Sequence, residues 1–221
     1  MVTFKRIDPL FVIDLSNPEQ PKVMGELKIP GFSDYLHPYD ETHLIGVGKD
    51  TGSNDWGGIS TKGLKLALFD VSDVSNPVMI SNYTIGGEGT DSEALHEHKA
   101  FLFDKDKDVL VIPVREAKQS RVYDQKLGYY HWNVWQGAYV FGLTPETGFL
   151  LKGKITHMEG EERDSWYYGG PNAVRRSLFM DNVLYTISAG KVKMNNLEKP
   201  NEQINEIKLP YNPEQYYGYY Y

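Results

Sequence analysis

Cysteine is absent from this 221-residue chain. That excludes disulfides, zinc–thiolate sites and cysteine nucleophiles, and it leaves the redox compartment open. Basic residues are in deficit: 23 Lys and Arg against 30 Asp and Glu give a formal net charge of −7. A general phosphate-backbone binder needs clustered cations, so no nucleic-acid partner is expected. No apolar run approaches the roughly 18 residues of a membrane span, and the opening Met1–Arg6 is not a signal peptide. Helical periodicity is missing from every stretch of a dozen residues. The common catalytic signatures are missing too. Gly58-Ile59-Ser60-Thr61-Lys62 breaks the hydrolase elbow at its fifth position, Gly46–Gly52 is a residue too long for a dinucleotide fingerprint, and no Walker sequence occurs.

What the chain has instead is Gly (21), Pro (12), Tyr (16) and a repeat. Phe11-Val12-Ile13-Asp14-Leu15-Ser16 aligns with Ala67-Leu68-Phe69-Asp70-Val71-Ser72 at an offset of 56, and Pro21 then meets Pro77. A third copy opens at Ala138–Leu143 and a degraded fourth at Lys191–Met194, ending in Glu206–Pro210. Each copy reads as strands. Leu64–Phe69 is apolar on both faces, as a doubly covered strand requires. The segment after each opening alternates: Val23, Gly25, Leu27 and Ile29 share one face and Lys22, Met24, Glu26 and Lys28 the other. Further strands are expected around Asp34–Pro38, His43–Gly48, Glu93–Phe103, Val109–Val114, Asn172–Met180 and Val183–Ser188. Four strands per repeat of about 40–55 residues is the signature of a β-propeller blade.

The expected fold is therefore all-β and propeller-type, with about three full four-stranded blades and partial blades at both ends. Residues 1–211 form this partial propeller domain and 212–221 a Tyr-rich C-terminal tail. Propellers close with about four to eight blades, so either a missing N-terminal propeller half or self-association completes the ring, or the architecture is an open array.

Asp8–Pro18, Gly25–Gly31 and Tyr35-Leu36-His37-Pro38-Tyr39 together resemble the C-terminal β-propeller domain of a family of secreted bacterial and archaeal proteins, itself distantly similar to WD-repeat propellers. Asp91–Leu95, His98–Phe103, Leu110–Val114 and Leu184–Ser188 continue the likeness to about Pro210. The resemblance implies the fold and an extracellular or cell-surface destination. It carries no catalytic residues and no assigned biochemical role.

With strands running in order through each blade, connections fall alternately on two faces. One face receives the short turns (16–21, 39–41, 72–77, 104–108, 144–148). The other is expected to receive long loops: Lys49–Gly63, Gly86–Ser92, Arg115–Gln136 and Met158–Asn172. All four Trp (Trp56, Trp132, Trp135, Trp166) fall in these segments, with Tyr129, Tyr130, His131, Tyr167 and Tyr168. Loops on rigid β-scaffolds carry function and aromatics anchor ligands. Trp56, Tyr129, Tyr130, His131, Trp132, Trp166 and Tyr167 are the candidate ligand-binding residues, for a protein or carbohydrate. The competing reading folds these aromatics under the loops as small satellite cores. Asp50, Asp55, Asp91, Glu161, Glu162 and Asp164 share the face, which favours a cationic, polyol or carbohydrate-like ligand over a phosphate.

Metal chemistry has one candidate. In an extended strand His96 and His98 point to the same face, with Asp91 nearby, so the three are candidate ligands for a divalent ion. His96-Glu97 is no zincin motif, because position 100 is Ala. Asp104-Lys105-Asp106-Lys107-Asp108 lacks the Gly and terminal acid of a calcium loop and reads as a solvated turn. No complete catalytic constellation is present. The sequence thus reads as a noncatalytic binding module without a required cofactor; the alternative is a metal-dependent enzyme at the His96/His98 corner.

Overall fold

The computed structural model describes residues 9–53, 59–125, 128–159 and 170–211. Its strands form four antiparallel sheets in which chain neighbours are also sheet neighbours. A half-sheet holds β1 (Leu10–Asp14) and β2 (Lys22–Leu27). The second sheet holds β3 (Phe32–Pro38), β4 (His43–Ser53), β5 (Ile59–Asp70) and β6 (Val78–Ile85). The third holds β7 (Leu102–Asp104), β8 (Val109–Asp124), β9 (Tyr129–Thr144) and β10 (Gly148–Ile155). The fourth holds β11 (Arg176–Met180), β12 (Val183–Ile187), β13 (Lys191–Asn196) and β14 (Gln203–Lys208).

The sheets stack face to face in chain order because their interior strands are apolar on both sides. On β5, Leu64, Leu66 and Leu68 join Leu110, Ile112, Phe141 and Leu143 of the third sheet in one cluster. Ala67 and Phe69, on the opposite face of the same strand, pack with Leu10 of the half-sheet. The third sheet repeats the device: Val109, Val111, Ala138 and Val140 turn towards Val174, Leu184 and Leu197. Each fully buried Leu or Phe here contributes about 1.5–3 kcal/mol. Gly25 lets the half-sheet approach, since a Cβ there would meet the Val74 carbonyl and the Pro77 ring. This is the propeller-type stack that the sequence repeat implies.

The sheets are cut at a different point from the sequence repeats. Leu64–Phe69 is doubly covered as expected, but it is the third strand of its sheet. Segments 191–194 and 206–209 do not open a further partial blade; β13 and β14 complete the fourth sheet. Among the described residues the one partial sheet is the N-terminal pair. The repeated Asp-Leu-Ser and Asp-Val-Ser marks turns: the Ser16 and Ser72 N–H groups donate to Asp14 and Asp70 Oδ1, each at 2.8 Å. Such turns recur once per blade wherever the blade begins, so they give the period and not the phase.

Three local expectations also change. Glu93–Phe103 is not a strand but two 3-10 turns, Glu93–Leu95 and His98–Ala100, leading into the three-residue β7. Ser92 Oγ accepts from the Ala94 N–H and a Glu97 carboxylate oxygen from the Lys99 N–H, and these local bonds outcompete a sheet ladder. The strand expected over Asn172–Met180 begins only at Arg176. The supposed loops Lys49–Gly63 and Arg115–Gln136 are largely ladder. Beyond Lys49 and Val114, β4 pairs on with β5 and β8 with β9 as two-stranded extensions. Ten residues, Arg115–Asp124, reach about 30 Å at ~3.3 Å per residue.

Candidate functional site

Antiparallel order sends successive connections to opposite ends of the strands. One end, the turn face, carries tight polar turns, and Lys105 of one turn ion-pairs with Asp40 of the neighbouring one at 3.3 Å. Desolvation works to raise the Asp40 pKa, but hydrogen bonds from the Thr42 N–H, His43 and Lys105 hold its carboxyl well below the usual range. Asp104–Asp108 is the hairpin turn between β7 and β8, with Asp104 Oδ1 accepting from the Lys107 N–H at 2.9 Å. The other end, the loop face, receives both ladder extensions and the two longest connections, 86–101 and 156–175.

These loop-face elements are stitched to one another by named bonds. Asp91 and Arg115 exchange backbone hydrogen bonds at 2.9 and 2.8 Å, which docks the 86–92 segment on β8. The Ala117 N–H donates to Thr90 Oγ1 at 3.0 Å. Lys49 Nζ reaches from β4 to the Thr90 carbonyl (2.6 Å) and Asp91 Oδ1 (2.7 Å). Glu93 and Arg175 pair at 2.7 Å and tie two inter-sheet connections together. The amide of Gln136 bonds one residue at both its atoms: Nε2 donates to the Val174 carbonyl at 2.8 Å, and Oε1 accepts from the Val174 N–H at 2.9 Å.

Between these bonds lies a small recess lined by Asp91, Glu93, Arg115, Gln136, Val174 and Arg175 among others. Its floor, Pro113, Val114 and Ala173, is apolar. The acidic character read from the sequence is offset here. Asp91 and Glu93 each accept from a cation, and Arg115 Nη1 donates to the Gly89 carbonyl at 3.1 Å. Both ion pairs are only partly buried, so each is worth about 0–1 kcal/mol and its role is orientation.

Catalytic chemistry has little to work with among the described residues. Ser92 Oγ donates to the Pro113 carbonyl. Tyr139 donates to Glu116 at 2.6 Å, and burial, with that carboxylate beside it, drives the phenol pKa far up. Lys154 completes this cluster, 3.0 Å from Glu116 and 4.2 Å from the Tyr139 ring centroid. His157 Nδ1 and Ser188 Oγ, 2.9 Å apart, are sealed in the interior.

The sequence-predicted residues fare unevenly. Trp56, Trp166, Tyr167 and the tail 212–221 lie outside the described residues. Tyr129, Tyr130, His131 and Trp132 have their backbone in β9, paired with Asp124, Tyr123, Val122 and Arg121. Trp135 is half-buried, edge-on to Tyr139 with ring centroids 5.4 Å apart, which is the satellite-core arrangement. His96 and His98 are exposed and sit on separate 3-10 turns, and Asp91 is engaged by Lys49. No group of three or more metal-ligating side chains occurs among the described residues. Lys49, Glu93, Arg115, Gln136 and Arg175 were not singled out in the sequence. No local motif marks Lys49, Arg115, Gln136 or Arg175, and Glu93 stood out only as a neighbour of the His96/His98 cluster. Among the described residues no helix is long and apolar enough to cross a membrane.

Comparison with known proteins agrees with this architecture. The sequence model of the beta propeller domain family matches residues 1–199. An uncharacterized protein of Archaeoglobus fulgidus is 34% identical over 209 residues, 95% of this chain and 26% of the relative. An uncharacterized protein of Methanocaldococcus jannaschii is 34% identical over 219 residues, 99% of this chain and 28% of the relative. The chain thus spans about a quarter of the length of these curated relatives. With its stacked four-stranded antiparallel sheets and this family match, the chain belongs to the beta propeller domain family.

Proposed function

We propose that the chain is a noncatalytic extracellular or cell-surface binding module that takes a protein or polysaccharide on its loop face. One observation carries this reading: both ladder extensions and the two longest connections leave from the same end of the strands, around a pocket with charged walls and an apolar floor. Rigid sheets beneath and hydrogen-bonded connections above give a surface whose ordering cost is already met before a ligand arrives. The aromatic run Tyr129–Trp132 has its backbone in the β8–β9 extension, and aromatics of this kind are typical ligand anchors. The Tyr139 and Ser92 hydrogen bonds favour binding over covalent chemistry, since each ties the group to a neighbouring oxygen.

The test is titration of purified peptidoglycan fragments, chitin oligosaccharides and mannan, followed by intrinsic tryptophan fluorescence. Saturable binding is expected for one of them, weakened at least about tenfold by Trp132→Ala or Arg115→Ala and untouched by Lys107→Ala on the turn face. Binding that survives both loop-face variants and is lost with Lys107→Ala would refute the assignment. Silence across the panel would remove polysaccharides and leave a protein ligand.

A further inference from the structure

In the fourth sheet β12 and β13 meet in the short turn 188–190, at the strand end where the second and third sheets send out their ladder extensions. Both described ends of the 156–175 connection are fastened to this turn and the strands beside it. At the far end the Gly190 N–H donates to the Pro171 carbonyl at 2.6 Å, and the Arg175 N–H to the Ile187 carbonyl at 2.8 Å. At the near end His157, fully buried, sets Nδ1 on Ser188 Oγ and Nε2 on Thr186 Oγ1. Strand β9 holds the same two ends: Thr156 Oγ1 donates to the Gln136 carbonyl at 2.7 Å, and the Gln136 amide holds Val174.

The hydrogen bonds around the ring fix its tautomer. The Ser188 hydroxyl donates to the Lys191 carbonyl and accepts from the Lys191 N–H, each at 3.1 Å, so its remaining lone pair takes a donor, Nδ1–H. Nε2 is then the acceptor, and the Thr186 hydroxyl donates to it. A second ring proton sets Nε2–H against that hydroxyl and adds a buried charge beside two ammonium groups. Lys193 Nζ bonds the Thr156 carbonyl at 2.9 Å, and Lys191 Nζ bonds Glu159 Oε1 at 2.8 Å, one and two residues from the ring. Glu206 of β14 reaches Lys191 at 3.3 Å and Lys193 at 3.8 Å, and Glu159 is the acid of the ring's own segment. Strand β12 offers the ring hydroxyls alone, and Ser177 of β11, paired with Thr186, adds another. Burial, then Lys193 and Lys191, hold the ring pKa down at about 4, with Glu206 opposing.

We propose that His157 is an acid-sensitive latch: neutral, it fastens the connection to β12 and its turn; charged, it frees the connection and opens the Val174 side of the loop-face recess while the second and third sheets stay stacked. An unpaired buried charge is expelled rather than accommodated. The closed form binds fewer protons than the open one between about pH 4 and 6.5, so opening rises as pH falls. Ala173, Val174 and Arg175 line the recess, so acid withdraws one of its walls, a control of binding that rests on the loop-face reading above.

The chain has no Cys, so single thiols report each opening with no ligand present. Val174→Cys, at a position 1% exposed, reports the connection, and Val47→Cys, fully buried between the second and third sheets, reports the rest of the stack. Labelling by dithiodipyridine, which attacks thiols in acid as in neutral solution, is measured at pH 7 and pH 5 in low urea, relative to glutathione. Val174→Cys is expected to react at least about tenfold faster than Val47→Cys, with little urea dependence. Its rate is expected to rise about twentyfold from pH 7 to pH 5, and adding His157→Gln to remove that rise. Equal rates with the same urea dependence would mean that only global unfolding exposes Val174. A rise that survives His157→Gln, or no rise at all, would deny the ring its role; each of these results overturns the latch. Ring 15N spectra of the wild type need no variant: a neutral Nδ1–H imidazole is expected at pH 5, and its absence overturns the latch as well. Failure of the ligand titrations leaves these readouts standing, and a failed latch leaves the binding assignment standing.

Discussion

His157 offers the sharpest quantitative consequence of the stack. Its side chain is fully buried, held by Ser188 Oγ on Nδ1 (2.9 Å) and Thr186 Oγ1 on Nε2 (2.8 Å). Burial, and then the nearby Lys193 and Lys191 ammonium groups, lower its pKa from 6.5 to about 4. The imidazole is therefore neutral in the fold between pH 4 and 6.5, whereas the unfolded chain takes up a proton there. Stability linked to this site is fully present above pH 6.5 and falls with falling pH, the loss being complete below about pH 4. At pH 5 the expected loss is about 2 kcal/mol, and about 3 kcal/mol below pH 4. Urea denaturation at pH 7 and pH 5 checks this against His157→Gln, which keeps polar contacts with both hydroxyls but does not titrate. Other acids titrate in both proteins, so the double difference isolates the histidine. A wild type that loses about 2 kcal/mol more than the variant supports the geometry. Equal losses, within about 0.5 kcal/mol, would mean that the imidazole meets water and that the fourth sheet is not docked as described.

Other consequences are equally direct. Leu110→Ala, at a fully buried position in the second–third sheet cluster, is expected to cost about 3 kcal/mol, read as a lower urea midpoint at unchanged slope. Gly48→Ala places a Cβ against the Phe32 carbonyl, a backbone atom that cannot rotate aside, and should cost at least about 2 kcal/mol in the same assay. Glu93→Gln breaks a partly exposed ion pair with Arg175, so a stability change below about 1 kcal/mol is expected in thermal melts, with loop-face binding weakened in the titration. His96→Ala with His98→Ala should leave the melting temperature unchanged with or without added zinc or calcium; a metal-dependent rise lost in the double variant would support the metal reading.

Much of the fold was legible because its determinants are local. The double-sided apolar run Leu64–Phe69 announces a strand between two sheets, and the Asp14/Ser16 and Asp70/Ser72 turns announce a repeat. The phase was not legible. Any turn in a meander looks like a boundary, and only the pairing of β3 with β4 and of β6 with β5, rather than with β2 and β7, cuts the sheets. Arg115–Asp124 escaped because its sequence is largely polar and charged and leaves no apolar alternation to read. At His96 and His98 the error ran the other way: the Ser92 and Glu97 side-chain caps turned an apparent strand into 3-10 turns. The pocket assembles Glu93, Arg115, Gln136 and Arg175 from four separate segments, and no spacing rule joins them.

Hydrogen–deuterium exchange with and without the ligand found by titration addresses the loop-face assignment most directly. Protection is expected in 86–92, 115–124 and 173–175, with 39–42, 71–77 and 105–108 unchanged. Protection concentrated in those turns, with the loop face exchanging as in the free chain, would contradict the account.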